Sequence, residues 1–446
     1  MKTSRVTFIV VFFALVICLA MFAPVALSAT NLQDGNWNMW RHDPAHTSVA
    51  TAGPSNLTVA WKYTTLGAVI SSPSIVDGIV YVGSQDSYLY ALNADSGALI
   101  WKFKTNDYIV SSPAAVNGKV FTGGDDGYVY CLDAQTGEMK WKTFVNGDIE
   151  YTYGSLVLKS SPTVAAGMVY IGSLDGYLYA LDVDSGDINW KYNTDGYILS
   201  SPAVVDGAVY FTSELPETGI LYKLNAQSGS LIWSIPIEHE YQFTGGTQMI
   251  GSPSVAAGMV FVPATLRTYY GINALTGAIV WIFTEPDAAE FIVSCPLYVD
   301  GDLFIVNKYS ITTLDAATGN VKWSFFTGDE LYTSLTYAVG KIYLMTSQRH
   351  LFILDATNQG NKLANYTTPS GSWSSPSLYD GKLYIGNHDW NVYCFADNAI
   401  TSAEQNNYSL QIDHTLVIIV VVAVIVAVAT VVYINQATKE KPSKSF

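Results

Sequence analysis

Ser71-Ser72-Pro73-Ser74-Ile75-Val76-Asp77-Gly78, followed by the alternating run Ile79-Val80-Tyr81-Val82-Gly83, is the stretch that decides the fold. Its first part returns as Ser111-Ser112-Pro113-Ala114-Ala115-Val116-Asn117-Gly118. It returns again from Ser160, Ser200, Gly251 and Ser374, and in weaker form from Ser294 and Ser334. After each copy come an apolar strand, a polar turn and a second strand such as Tyr88-Leu89-Tyr90-Ala91-Leu92. A turn ending in glycine follows, and then a strand carrying tryptophan. Trp61, Trp101, Trp141, Trp190, Trp233, Trp281 and Trp323 mark the period, with successive gaps of 40, 40, 49, 43, 48 and 42 residues. Asp77-Gly78 and Asn117-Gly118 suit the primed hairpin turns that match strand twist. Three hairpin turns per interval give four short antiparallel strands, which is one propeller blade.

Eight such starts predict an all-β, eight-bladed β-propeller over residues 57–396. Trp61 precedes the first start, and the last blade, Ser374 to Ala396, has only three strands. The segment around Leu57 to Tyr63 is therefore expected to supply the fourth strand and close the ring, removing exposed edges. In the seventh blade Tyr366 is read as standing where tryptophan is expected. A seven-bladed ring is the alternative.

The chain has 446 residues, of which 13% are charged, half the usual ~25%. That suits short strands and tight turns. A formal net charge of −15 argues against a nucleic-acid partner. It favours cationic ligands, metal ions or basic proteins, or it maintains solubility. Cys18, Cys131, Cys295 and Cys394 form no CxxC or CxxCH pattern, so neither zinc nor covalently held haem is expected, and cysteines within strands read as small buried apolar groups.

The ends carry membrane signals. Lys2 and Arg5 precede an apolar run from Val6 to Ala23 and small residues at Ala26 to Ala29, the order of a secretory signal peptide over 1–29. Residues 30–56 form a leading segment and 397–413 a polar stalk. Leu416 to Ile434 holds 19 residues without a charge, enough to cross a bilayer, so a transmembrane helix is expected over 414–436. Lys439, Lys441 and Lys444 in the tail 437–446 put that end in the cytoplasm and the propeller on the extracytoplasmic side. Sequons at Asn56, Asn365 and Asn407 are glycosylation candidates consistent with export.

Asn93-Ala94-Asp95-Ser96-Gly97-Ala98-Leu99-Ile100-Trp101 and Asp133 to Trp141 resemble the tryptophan-docking repeat of PQQ-like propellers. Asp182 to Trp190, Asn273 to Trp281 and Asp315 to Trp323 do the same, and Trp37 to Thr47 resembles the leading segment common in that family. The resemblance covers roughly residues 35–396. It implies that each outer-strand tryptophan packs between neighbouring blades, with a turn glycine permitting close approach. The family contains PQQ- and calcium-dependent dehydrogenases of alcohols and sugars as well as noncatalytic outer-membrane assembly propellers. The former have adjacent cysteines over the quinone, which this sequence lacks. The expected function is therefore a membrane-anchored binding scaffold with no cofactor. A PQQ/Ca²⁺-dependent dehydrogenase is the alternative.

Functional residues in propellers usually sit on loops at one mouth. Here the connections from each outer strand to the next inner strand are acidic and aromatic. They hold Asp107 and Tyr108; Asp148, Glu150, Tyr151 and Tyr153; Asp195 and Tyr197; and Glu238, His239, Glu240 and Tyr241. They continue through Glu285, Asp287, Glu290 and Phe291 to Asp329, Glu330, Tyr332 and Trp373. These are the candidate binding residues for an extracytoplasmic protein, a cationic ligand, a metal ion or a sugar. The plainer reading is that they are solvated loops whose aromatics pack on the next blade. Asp182 to Asp187 looks like the start of a calcium loop, but Asn193 stands at its twelfth position, so it reads as an ordinary turn. His42 and His46, interrupted by Pro44, make a poor metal pair. Glu238-His239-Glu240 is a further metal candidate.

Overall fold

The computed structural model describes residues 36–145, 160–215, 218–237, 251–264, 268–285 and 294–397. These form eight antiparallel blades of four strands each, one of them extended by a short fifth strand, and no helix occurs among them. In blade 1 the order from the centre outward is Ser74–Val76, Ile79–Gly83, Tyr88–Asn93 and Leu99–Lys104. Inner strands of neighbouring blades lie against one another around the ring. The second strand is buried along its whole length, so it needs apolar residues on both faces. The outer strand alternates, with Lys102 and Lys104 exposed.

The repeated Ser-Ser-Pro has a distinct job for each residue. The first serine ties its inner strand to the second strand of its own blade: Ser71 Oγ donates to Gly83 O at 2.9 Å and accepts from Gly83 N at 2.8 Å. Ser111 with Gly123 and Ser200 with Thr212 repeat the pair. The second serine reaches across blades. Ser72 N donates to Ser112 Oγ, Ser112 N to Ser161 Oγ, Ser161 N to Ser201 Oγ and Ser201 N to Ser252 Oγ. Cys295 N, Ser334 N and Ser375 N carry the chain of bonds on to Ser334, Ser375 and Ser72. Cys295 is the one departure from serine in this ring. Each bond contributes about 1 kcal/mol net, and together they fix the blade-to-blade register at the channel.

Closure uses the N-terminal side of the chain. Thr58–Thr64 pairs antiparallel with Asn391–Ala396, with Trp61 opposite Cys394. Asp397 accepts from the backbone N–H of Asn56 at 2.7 Å and holds the seam from outside.

Tryptophan docking joins the rims. The indole N–H of Trp101 donates to Ala134 O of the next blade at 2.9 Å. Trp61, Trp141, Trp190 and Trp281 reach Ala94, Val183, Ala226 and Ala316 in the same way. Trp233 differs, because Lys223 stands opposite it and gives its amine to Ala274 O at 2.7 Å. Trp323 packs against Gly360 of blade 7. In blade 7 the register corrects the expectation for Tyr366. Ala364 is the residue opposite Ile353, where the other blades hold tryptophan, and Tyr366 lies two residues further out against Phe395.

The leading segment runs into the channel. Trp37 exchanges both backbone hydrogen bonds with Ile75 of blade 1, at 2.7 Å each. Asn38, Pro44 and Ala45 give their carbonyls to Ala115, Val204 and Val255 of blades 2, 4 and 5. Val49–Ala50 adds a fifth, parallel strand to the inner edge of blade 7. Arg41, 2% exposed, donates to Pro296 O at 2.8 Å and Leu335 O at 2.7 Å, and so reaches blades 6 and 7. His46 Nδ1 donates to Pro253 O at 2.9 Å, and His42 and His46 belong to no group of three His, Cys, Asp or Glu side chains that could hold a metal among the described residues. The channel is therefore filled by its own chain.

The expected signal peptide, transmembrane helix and tail lie outside the described residues, as does the stalk beyond Asp397. Cys131, Cys295 and Cys394 are buried and free. Burial pushes their thiols up to about 12, 11 and 12 respectively. Asp182 Oδ1 accepts from Asp184 N and Ser185 N as a turn-forming side chain, like Asn93, Asp133 and Asn225 in other blades.

Candidate functional site

The mouth is built from two kinds of segment: the connections between blades, and the turns between second and third strands. A threonine begins each described connection and pins it. Thr105 Oγ1 donates toward Ser87 O and Asp107 O, at 3.1 and 2.7 Å. Thr194, Thr327, Thr368 and Thr65 make the equivalent pairs. Beneath three of these connections an aliphatic side chain, Val69, Ile109 or Ile198, is buried against a glycine that leaves room for it, Gly386, Gly83 or Gly172. The turns carry aspartates that hold tyrosines: Asp86 accepts from Tyr90 at 2.7 Å, and Asp126, Asp175 and Asp389 accept from Tyr130, Tyr179 and Tyr393 at 2.5 Å. The described connections are thus tied by side-chain hydrogen bonds to turns of the same mouth.

Asp107 is half-buried and accepts from the N–H of Tyr108, which is exposed. Tyr197 is exposed and its backbone pairs with Glu214 of its own blade, while Asp195 is exposed beside it. Glu285 lies half-buried just beyond the outer strand of blade 5. Asp329 accepts from His350 Nδ1 and from Thr346 Oγ1. Glu330 pairs with Lys308 at 3.2 Å and lies 3.4 Å from the hydroxyls of both Tyr309 and Tyr332. Trp373 is 57% exposed, its ring edge-on to His388 at 5.2 Å between centroids. Glu150, Tyr151, Tyr153, Glu238, His239, Glu240, Tyr241, Asp287 and Glu290 fall outside the described residues, as do Asp148 and Phe291. Asn56 and Asn365 are exposed, and Asn407 lies outside the described residues.

Sequence reasoning missed Trp390. It sits in the turn of blade 8 at φ 69° and is 52% exposed. Gly127 and Gly176 fill the corresponding place in blades 2 and 3, so aligning the repeats turn by turn exposes it.

A family profile described as "Outer membrane protein assembly factor BamB" matches residues 48–112, 85–245 and 217–439. The chain belongs to this PQQ-like repeat family. Its BamB-type repeats are 24% identical, over 201 residues, to the outer membrane protein assembly factor BamB of Moranella endobia, covering 43% of this chain and 50% of that one. Over 222 residues they are 28% identical to a tetrathionate hydrolase of Acidithiobacillus ferrooxidans, covering 41% of each chain. The chain thus spans half or less of the length of these curated relatives. A europium-containing methanol dehydrogenase superposes with a TM-score of 0.68 at 13% identity, covering 82% of this chain and 99% of that one, which is a likeness of fold.

The dehydrogenase branch of the PQQ-like family implies a quinone and a calcium ion. No group of three or more His, Cys, Asp or Glu side chains that could hold a metal occurs among them. The three cysteines lie on separate blades rather than adjacent. Arg41, the cation in the channel, already gives its terminal nitrogens to carbonyls. At the mouth, Lys308 is held by Glu330. An anionic quinone would face carboxylates there.

Proposed function

We propose that this chain is an extracytoplasmic scaffold, held at a membrane by residues 414–436, whose mouth face binds a partner protein. The observation that carries this reading is the leading segment. With residues 37–50 bonded to inner strands around the ring, the channel is occupied, and the mouth offers accessible side chains on pinned connections suited to recognition. The naming of relatives as assembly factors supports a role in holding other proteins.

The experiment is site-specific photo-cross-linking in intact cells, from Tyr108 and Tyr197 at the mouth and Ile282 on the outer strand of blade 5. Partner adducts from the mouth positions and none from Ile282 are expected, and the reverse pattern overturns the reading. Protease added to intact cells should cut the propeller and spare a C-terminal tag. A tag cut from outside contradicts the proposed topology.

A further inference from the structure

In five blades the residue just before the third strand takes a left-handed backbone: Ser87 at φ 69°, Gly127 at 81°, Gly176 at 87°, Arg349 at 91° and Trp390 at 69°. Glycine meets that geometry without strain, whereas a bulky aromatic does not. Trp390 is thus disfavoured twice, by its backbone and by leaving half its ring in water. The fold needs neither, because blades 2 and 3 make the same turn with glycine.

The two segments bonded to this turn each carry a further exposed apolar side chain. Residues 368–374, bearing Trp373, pack on one side: Asn387 Nδ2 donates to Ser370 O at 2.9 Å and His388 N to Gly371 O at 3.2 Å. Residues 65–69 pack on the other: Val69 N donates to Asn387 O at 3.1 Å and Thr65 N to Trp390 O at 2.8 Å. That second segment carries Leu66, 73% exposed. Carboxylates flank the group. Asp389 accepts from Tyr393 and from Asn391 N, and Asp86 accepts from Leu66 N and Tyr90. No lysine or arginine pairs with either carboxylate among the described residues. Burial lowers the pKa of His388, so it adds no charge at neutral pH. One indole on a strained backbone and a second exposed indole, beside carboxylates with no lysine or arginine partner, make a surface for a flat or alkyl cation.

We infer that Trp390 and Trp373, with Asp389 and Asp86, form a site for a lysine or arginine side chain of the partner protein. The inference rests on the reading of the mouth as a binding face. The test is calorimetric titration of the full-length protein with tetra-arginine, tetraglycine and maltotetraose. Saturable binding of tetra-arginine that weakens with salt is expected, with none for the other two. Trp373→Ala and Trp390→Gly should each weaken it about tenfold. Trp390→Gly should also melt at the same or a higher temperature, since it relieves the strained backbone, which separates lost binding from lost folding. Unchanged affinity in both variants, absence of tetra-arginine binding, or binding of maltotetraose that both variants lose would each overturn the proposal. Mouth cross-links that persist in Trp390→Gly would leave the scaffold reading standing while this site falls.

Discussion

Val339 occupies a position that its seven counterparts fill with Asp, Asn or Ala. It is the first residue of the inner hairpin turn in blade 7, at φ 46° and 67% exposed. A β-branched side chain with a left-handed backbone costs about 1–2 kcal/mol, and exposure returns nothing for it. Val339→Asn should therefore stabilise the protein by about 1 kcal/mol, read as a higher urea midpoint with unchanged slope. His46 makes a second prediction at this scale. Burial chiefly lowers its pKa from 6.5 to about 4, against the bond to Pro253 O that raises it. The unfolded chain therefore takes up the proton first as pH falls. The stabilisation is fully present above about pH 6.5 and is lost progressively toward pH 4, to the extent of roughly 3 kcal/mol. His46→Gln should flatten this part of the profile in urea titrations between neutral and acidic pH. A slope identical to that of the unmodified protein would place the titrating group elsewhere.

At the scale of the element, the turn glycine and the tryptophan of the preceding blade are one device. A Cβ on Gly137 would lie 2.6 Å from the Trp101 ring, and its φ is 73°. Gly137→Ala should cost about 2–4 kcal/mol, checked by equilibrium unfolding, because both clash and backbone oppose it. The resemblance to the tryptophan-docking repeat implied this device, and in six repeats the tryptophan follows the turn glycine by the same spacing. The same count from Gly360 leads to Ala364 rather than Tyr366. Blade 7 was misread because Tyr366 is the aromatic its outer strand offers, whereas the turn Asp355 to Asn361, one residue longer than Asp315 to Asn320 in blade 6, puts the tryptophan position at Ala364. Lys223 was hidden for a different reason. Nothing in a strand pattern announces a lysine whose amine takes the carbonyl that an indole uses in other blades.

For the whole molecule, the repeat fixed blade number and closure because eight near-copies of one hairpin pattern admit few arrangements. The plugged channel was not legible. Residues 37–50 have no periodicity, and Arg41, His42, His46 and Ser48 all take positive φ, so their path is dictated by inner strands far away in sequence. The mouth was legible as a set of connections but not as a rigid surface, since pinning by Thr105 or Thr194 depends on turns contributed by other strands. Titrating the full-length protein with PQQ and Ca²⁺ separates a filled channel with a binding face at its mouth from a quinone site. Absorbance and dye-linked oxidation of alcohols and sugars would be followed together. The account predicts neither stoichiometric quinone binding nor turnover. Stoichiometric binding accompanied by substrate oxidation would contradict it.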